Sequence, residues 1–197
     1  MANKSIQEQR MREYFIQAAK EILKGEGLRA ISVRNIARKA GYSYATLYNY
    51  FRDVKELIFE CVQDFQDECE ALIRKEIENA PEGSERIQAI ANAYTKYFIQ
   101  YPGIFELFFL ERMHDVGGKQ PTIELITTFL DRLCEPDWRI CVRRGQCTAE
   151  RAELLKNELR YAVHGLLLFY LHRKSPGSYA QFKAITDKQL NFILTAQ

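Results

Sequence analysis

Residues 32–51, SVRNIARKAGYSYATLYNYF, set two short helical patterns on either side of an Ala-Gly pair. No other stretch limits the fold so tightly. Ser32 reads as the N-cap of a helix from Val33 to Lys39, because its hydroxyl can accept an otherwise orphaned backbone N–H. Ile36 and Ala37 would supply the inward face of that helix. Ala40-Gly41-Tyr42 is the turn, and Ser43 caps a second helix reaching Asn49 or Tyr50. Upstream, Ser5-Ile-Gln-Glu8 reads as a capping box opening a longer helix, with Tyr14, Phe15, Ala18, Ala19, Ile22 and Leu23 as its apolar stripe and Gly25 and Gly27 as its end. A supporting helix followed by short helix, glycine turn and short helix is the helix-turn-helix layout.

Helix geometry, at about 100° per residue, sorts the tyrosines of the second short helix. With Leu47 inward, Phe51 falls on the same side and both belong to the core. Ala45 and Asn49 then point outward, flanked by Thr46 and Tyr48, while Tyr44 occupies the first turn, where recognition helices reach base edges. Tyr42 would be half-buried at the turn, with Tyr44, Tyr48 and Tyr50 at the rim of the outward face. A phenol hydroxyl can bond a phosphate oxygen while its ring packs on sugar or a thymine methyl.

Charge points the same way. Through Lys55 the chain carries eleven lysines and arginines against five acids, a net +6, which leaves the remaining residues at −4. A basic head on a mildly acidic body fits a polyanion-binding module. With 47% apolar and 27% charged residues the chain is globular. Its first residues lack the apolar core of a secretory signal and no apolar run suffices to span a bilayer, so a cytoplasmic protein without membrane contact is expected. The five cysteines (Cys61, Cys69, Cys134, Cys141, Cys147) include no CxxC pair and are expected to be reduced, mostly buried thiols, a redox sensor being the alternative. The histidines form no HxH or HExxH group, so neither a metal nor another cofactor is expected.

The segment GLRAISVRNIARKAGYSYATLYNYFRDVKELI, residues 27–58, resembles the DNA-binding segment of the TetR family of bacterial transcriptional regulators. Gly27, Ser32 before Val-Arg-Asn-Ile-Ala, the Ala40-Gly41 turn, Thr46-Leu47-Tyr48, Phe51 and the following Glu-Leu-Ile carry the likeness. The resemblance implies an all-α homodimer in which a three-helix head, residues 1–52, precedes a six-helix body, residues 53–197, that binds an effector and dimerises. It implies that Arg34 holds a phosphate or base, that Ser43, Tyr44, Ala45 and Thr46 face the major groove, and that Tyr48 and Tyr50 hold the backbone. Where the family usually has a lysine opening the long fourth helix, this chain has Val54, so Lys55 or Arg52 would make that phosphate contact.

The body reads as helices from Asp53 or Val54 to Asn79, from Ser84, from Pro102, from about Thr122 with a kink or split at Pro136, from Thr148 to Arg173, and from the SPGS break to about Leu194, with a flexible loop at 115–122. The rings Tyr94, Tyr97, Phe98, Tyr101, Phe105, Phe108, Phe109 and Phe129 are either core or the lining of a small-molecule pocket. Tyr97, Glu111, His114 and His164 would supply polar groups to such a pocket. The last two helices, read partly through the resemblance, would form a four-helix dimer contact from Leu159, Ala162, Val163, Leu166, Leu167, Tyr170, Phe182, Ile185, Leu190 and Ile193. The expected function is an operator-binding repressor released by an apolar or amphipathic ligand, with a ligand-independent DNA-binding regulator as the alternative. No GxSxG, P-loop or GxGxxG motif supports an enzyme.

Overall fold

Ser32, Gly41 and Ser43 act at the termini where the sequence places them. The computed structural model describes residues 2–111 and 120–195, and among them it contains α-helices and one 3-10 turn but no strand. Ser32 Oγ accepts the Asn35 N–H at 3.2 Å and opens α2 (Val33–Ala40). Gly41 ends that helix with φ +79°, and the Tyr42 N–H closes a Schellman motif on the Ala37 carbonyl at 2.9 Å. Ser43 Oγ accepts the Thr46 N–H at 3.1 Å and opens α3 (Tyr44–Tyr48), which stops short of Asn49.

The supporting helix α1 (Ala2–Gly25) begins upstream of Ser5, so Ser5 lies inside the helix and does not cap it. Its stripe is buried from Phe15 to Leu23, but Tyr14 is exposed. After the 3-10 turn (Leu28–Ala30), α2 and α3, the long helix α4 (Val54–Glu76) starts from Asp53, whose Oδ1 accepts the Glu56 N–H at 2.8 Å. It ends three residues earlier than expected, in a turn at 77–79. Then come α5 (Ser84–Gln100), α6 (Pro102–Phe109), α7 (Gln120–Thr127), α8 (Phe129–Arg143), α9 (Ala149–Arg173) and α10 (Tyr179–Thr195). The break expected at Pro136 lies instead at Thr128, and Pro136 sits inside α8. The body therefore has one helix more than the six expected, among the described residues. Of the loop expected at 115–122, residues 120–122 belong to α7 and the others, like His114, lie outside the described residues.

The chain forms two compact units. The first comprises Met1–Glu68 with Tyr101–Ile126, and the second Cys69–Gln100 with Thr127–Gln197. In the first, α1 lies along the start of α4 through Arg12–Glu60, Lys20–Asp64 at 2.7 Å and Lys24–Glu68 at 2.5 Å. Each such part-exposed pair contributes about 0.2–1 kcal/mol, so the row sets register more than stability, which comes from Phe15, Leu47, Phe51, Leu57 and Phe65 buried beside it. In the second, α5, α8, α9 and α10 enclose Ile87, Tyr94, Phe98, Trp138, Leu159 and Phe182. No described helix is long and apolar enough to cross a membrane.

Candidate nucleic-acid interface and ligand region

The outward face of α3 carries Tyr44 (60% exposed), Ala45, Tyr48 (51% exposed) and Asn49. Leu47 and Phe51 are buried behind it, so the helical phase read from the sequence holds in the structure. Ser43 and Thr46 are engaged with each other at 2.9 Å between hydroxyls, which stiffens the first turn while leaving hydroxyl capacity toward solvent. Tyr42 is 39% exposed and leans on Phe15, ring centres 5.6 Å apart, close to the half-buried position expected. Tyr50 is more covered than expected: it is half-buried, with its ring 6.1 Å from Phe15. Arg34 is exposed in the first turn of α2, and Lys55 and Arg52 are both exposed around the start of α4, where Val54 is half-buried.

Arg12 is the residue of this region that sequence reading misses. Its guanidinium donates to the Tyr50 carbonyl and to Glu60, and it stacks over Phe51 at 4.2 Å. One side chain of α1 thus ties the segment leaving α3 to α4. Arg12→Ala is expected to destabilise the protein by about 1–3 kcal/mol, since a charged hydrogen bond and a carboxylate partner are lost together. Thermal melts with and without operator DNA check this, and affinity should fall with stability because α3 is no longer held at its C-terminal end.

In the second unit, Tyr94, Phe98, Phe129 and His164 come together. The Tyr94 ring lies 4.8 Å from Phe98 and 5.9 Å from Phe129 between centres. His164 Nδ1 lies 2.7 Å from the Arg160 carbonyl, which can only accept, so Nδ1 carries the proton and Nε2 accepts from the Tyr94 hydroxyl at 2.9 Å. Burial pushes His164 down to about 4 and holds it neutral; burial likewise raises Tyr94 well above the usual phenol range. Tyr97 is also buried, its ring 5.5 Å from Phe98. Tyr101, Phe105, Phe108, Phe109 and Glu111 belong to the first unit, where Phe109 contacts Phe105 and Phe108, and Glu111 is exposed.

A groove absent from the sequence reading lies beside Phe129. It measures about 360 Å³ between α4, α5 and α8. Ile73, Ile90 and Phe129 form a buried apolar floor, and Arg74, Arg86 and Arg132 stand around it. Arg74 pairs with Glu70 at 2.5 Å, and Arg86 donates to the Ala80 carbonyl at 2.7 and 3.0 Å. Arg132 meets the Phe129 ring at 5.7 Å and makes no carboxylate pair among the described residues. The arginines are separated by up to 58 positions, so only the fold assembles them.

The dimer face requires a correction. Leu159, Val163, Leu167, Phe182, Leu190 and Ile193 are each at most 2% exposed within a single chain, so they face its own core and have no surface to give a partner. Of the residues expected there, Ala162, Leu166, Tyr170 and Ile185 retain exposure. The outward faces of α9 and α10 carry instead Leu154, Tyr161, Leu168, Phe169, Ile185 and Phe192, all exposed.

The family model described as bacterial regulatory proteins, tetR family, matches residues 15–61. The chain is 28% identical over 189 residues to the HTH-type transcriptional regulator BetI of Proteus mirabilis (strain HI4320), covering 93% of this chain and 91% of the relative. Its fold is similar to that of the transcriptional regulator FadR from Bacillus subtilis in complex with stearoyl-CoA (TM-score 0.73, 13% identity, 94% of this chain and 98% of the other). It is similar also to a TetR family transcription regulator from Marinobacter aquaeolei VT8 (TM-score 0.62, 17% identity, 97% of both chains).

Proposed function

Because the chain is a DNA-binding transcriptional regulator of the TetR family, and not an enzyme, we propose that it acts as a cytoplasmic repressor: a homodimer seated on a twofold operator and released by an amphipathic anion. Residues 1–52 recognise DNA, and residues 53–197 bind ligand and partner. The observation carrying this reading is the outward face of α3, where four residues (Tyr44, Ala45, Tyr48 and Asn49) stand exposed while Leu47 and Phe51 lock the helix from behind. Arg34, Ser43, Thr46, Tyr50 and Lys55 complete the contact surface. Two such heads reach half-sites about one helical turn, roughly 34–36 Å, apart. Footprinting on a selected duplex tests this: protected inverted half-sites are expected, and a single half-site held by a monomer refutes it.

The tyrosines divide by role. Tyr48→Phe removes only a hydroxyl directed at phosphate, so affinity should fall by a similar factor on every sequence. Tyr44→Ala should change the preferred bases as well as the affinity. Neither ring belongs to the core, so both variants should melt within about 1 °C of the parent, in keeping with the small effects of exposed substitutions. Binding-site selection with each variant separates the two effects.

The ligand class follows from the groove beside Phe129. An apolar floor rimmed by guanidinium groups suits an acyl chain ending in carboxylate or phosphate, and stearoyl-CoA, bound by the structural relative, has that form. Titration with dodecanoate and dodecanoyl-CoA is expected to lower operator affinity about 5–150-fold, with operator weakening ligand binding by the same factor. Arg132→Ala should weaken the ligand and leave ligand-free operator binding unchanged. The tight packing of Tyr94, Tyr97 and Phe98 favours the alternative, a regulator that needs no ligand, and absence of any heat of binding would select it.

A further inference from the structure

At the end of α8, away from the Phe129 groove, two cysteines share one cavity. Gly145, with φ +69°, closes α8, and the Gln146 N–H returns to the Cys141 carbonyl at 2.9 Å. This Schellman closure brings the residue after Gln146, Cys147, back beside Cys141. Both cysteines line a cavity of about 220 Å³ with Ser84, Trp138, Leu155 and Leu194. Cys141 is buried, and its sulfur lies 3.6 Å from where a side chain on Gly83 would begin. Cys147 is half-exposed. Trp138 is 97% buried, and its indole N–H, which can only donate, has no acceptor among the described residues. A buried donor without a partner costs about 1–3 kcal/mol, so a cavity wall containing one is built to meet an acceptor.

We propose that Cys141 and Cys147 form an oxidisable dithiol, converted to a disulfide by a hydroperoxide entering this cavity. The Cys147 thiolate attacks one peroxide oxygen: an S–O bond forms, the O–O bond breaks, and the alcohol leaves with the proton given up by the thiol. Trp138 donates to the departing oxygen. The Cys141 thiol then attacks the sulfenic sulfur: the S–S bond forms, the S–O bond breaks and water leaves. The two sulfurs together lose two electrons and the peroxide gains two. Burial and the neighbouring Cys147 push the Cys141 thiol up, so the half-exposed Cys147 meets the peroxide first, and Cys141 resolves the sulfenic acid by giving its proton to the departing hydroxyl. The other three cysteines, Cys61, Cys69 and Cys134, are wholly buried; burial pushes the Cys61 thiol up to about 12 and the Cys134 thiol well above the usual range, so they do not compete.

The chain contains one tryptophan, which makes the event visible. Full-length protein treated with one equivalent of cumene hydroperoxide should lose Trp138 fluorescence, and dithiothreitol should restore it. Tryptic digestion without reductant should give residues 140–143 linked to residues 145–151. Cys147→Ser should abolish both signals, whereas Cys141→Ser should leave a sulfenic acid on Cys147 that dimedone traps; circular dichroism confirms that each variant is folded. Cys147 oxidised without ever linking to Cys141, or linked only to a second chain, overturns the proposal.

Discussion

Phe169→Glu combined with Phe192→Glu is expected to leave a folded monomer with almost no operator affinity. Both rings are largely exposed in the single chain, 58% and 70%, so neither supports the protomer fold. Solvent-facing apolar side chains on α9 and α10 are what a second copy covers in the proposed homodimer. Gly165 lies between Tyr161 and Leu168 on the same helix, and a side chain there meets nothing within 4 Å, so a partner helix can approach closely. Placing two carboxylates in that interface opposes association in each copy. A monomer loses the linkage between heads, which multiplies affinity by about 10²–10⁴. Analytical ultracentrifugation and a half-site binding assay together check the result: sedimentation should show the monomer, while half-site affinity stays near that of a single parent head. A variant that remains dimeric moves the interface elsewhere.

Gly103→Ala should be strongly damaging, because it adds a methyl group where α6 meets the end of α1. A Cβ at position 103 would stand 2.4 Å from the Leu23 carbonyl oxygen and 2.8 Å from the Gly27 Cα. Both are backbone atoms, so relief requires the start of α6 to move away from the end of α1. Overpacking commonly costs about 1–3 kcal/mol, and this site belongs at or above the upper end. For a chain of this size that corresponds to a fall in melting temperature of roughly 6–12 °C. Gly25→Ala, at the last residue of α1, is the control: it gains helix propensity in open space and should be neutral or stabilising by about 0.5–1 kcal/mol. If Gly103→Ala folds, its operator affinity should fall even before ligand is added. The close seat also bears on how the proposed ligand release could work. In the proposed mechanism, a displacement of α6 would reach the head directly through Leu23 and Gly27, which position 103 meets.

The head was legible because its signals are local. Ser32, Gly41 and Ser43 each act within five residues of their own position, and Leu47 with Phe51 defines the phase of α3. Arg12 was not legible, because its partners at Tyr50 and Glu60 are 38 and 48 positions away and an arginine in a basic segment looks like another phosphate contact. The face of α9 was misread for a different reason. Apolar residues occur on both sides of that helix, Leu159, Val163 and Leu167 on one and Tyr161, Leu168 and Phe169 on the other. Periodicity shows that such a helix has two apolar faces; only packing tells which belongs to the protomer. At Pro136 the general rule for proline was overridden by position. Pro136 and Arg132 are both exposed, so the carbonyl that proline leaves without a helical donor meets solvent at small cost.

The ion pairs along α1 also decide how the protein responds to its ionic surroundings. Arg12, Lys20, Lys24 and Lys39 are committed to Glu60, Asp64, Glu68 and Glu21, so a sizeable part of the positive charge in the head is already neutralised before DNA arrives. On the proposed contact surface Arg34 and Lys55 are the cations, and hydroxyls and an amide from Ser43, Tyr44, Thr46, Tyr48, Asn49 and Tyr50 make up the rest. A tyrosine hydroxyl that bonds a phosphate oxygen displaces no condensed cation, whereas each lysine or arginine that does so contributes about −0.9 to the slope of log affinity against log salt. With two cations on that surface, the expected salt slope is about −2, checked by measuring operator affinity across salt concentrations. A head of this kind would trade speed of capture from a distance for an occupancy that changes little with salt.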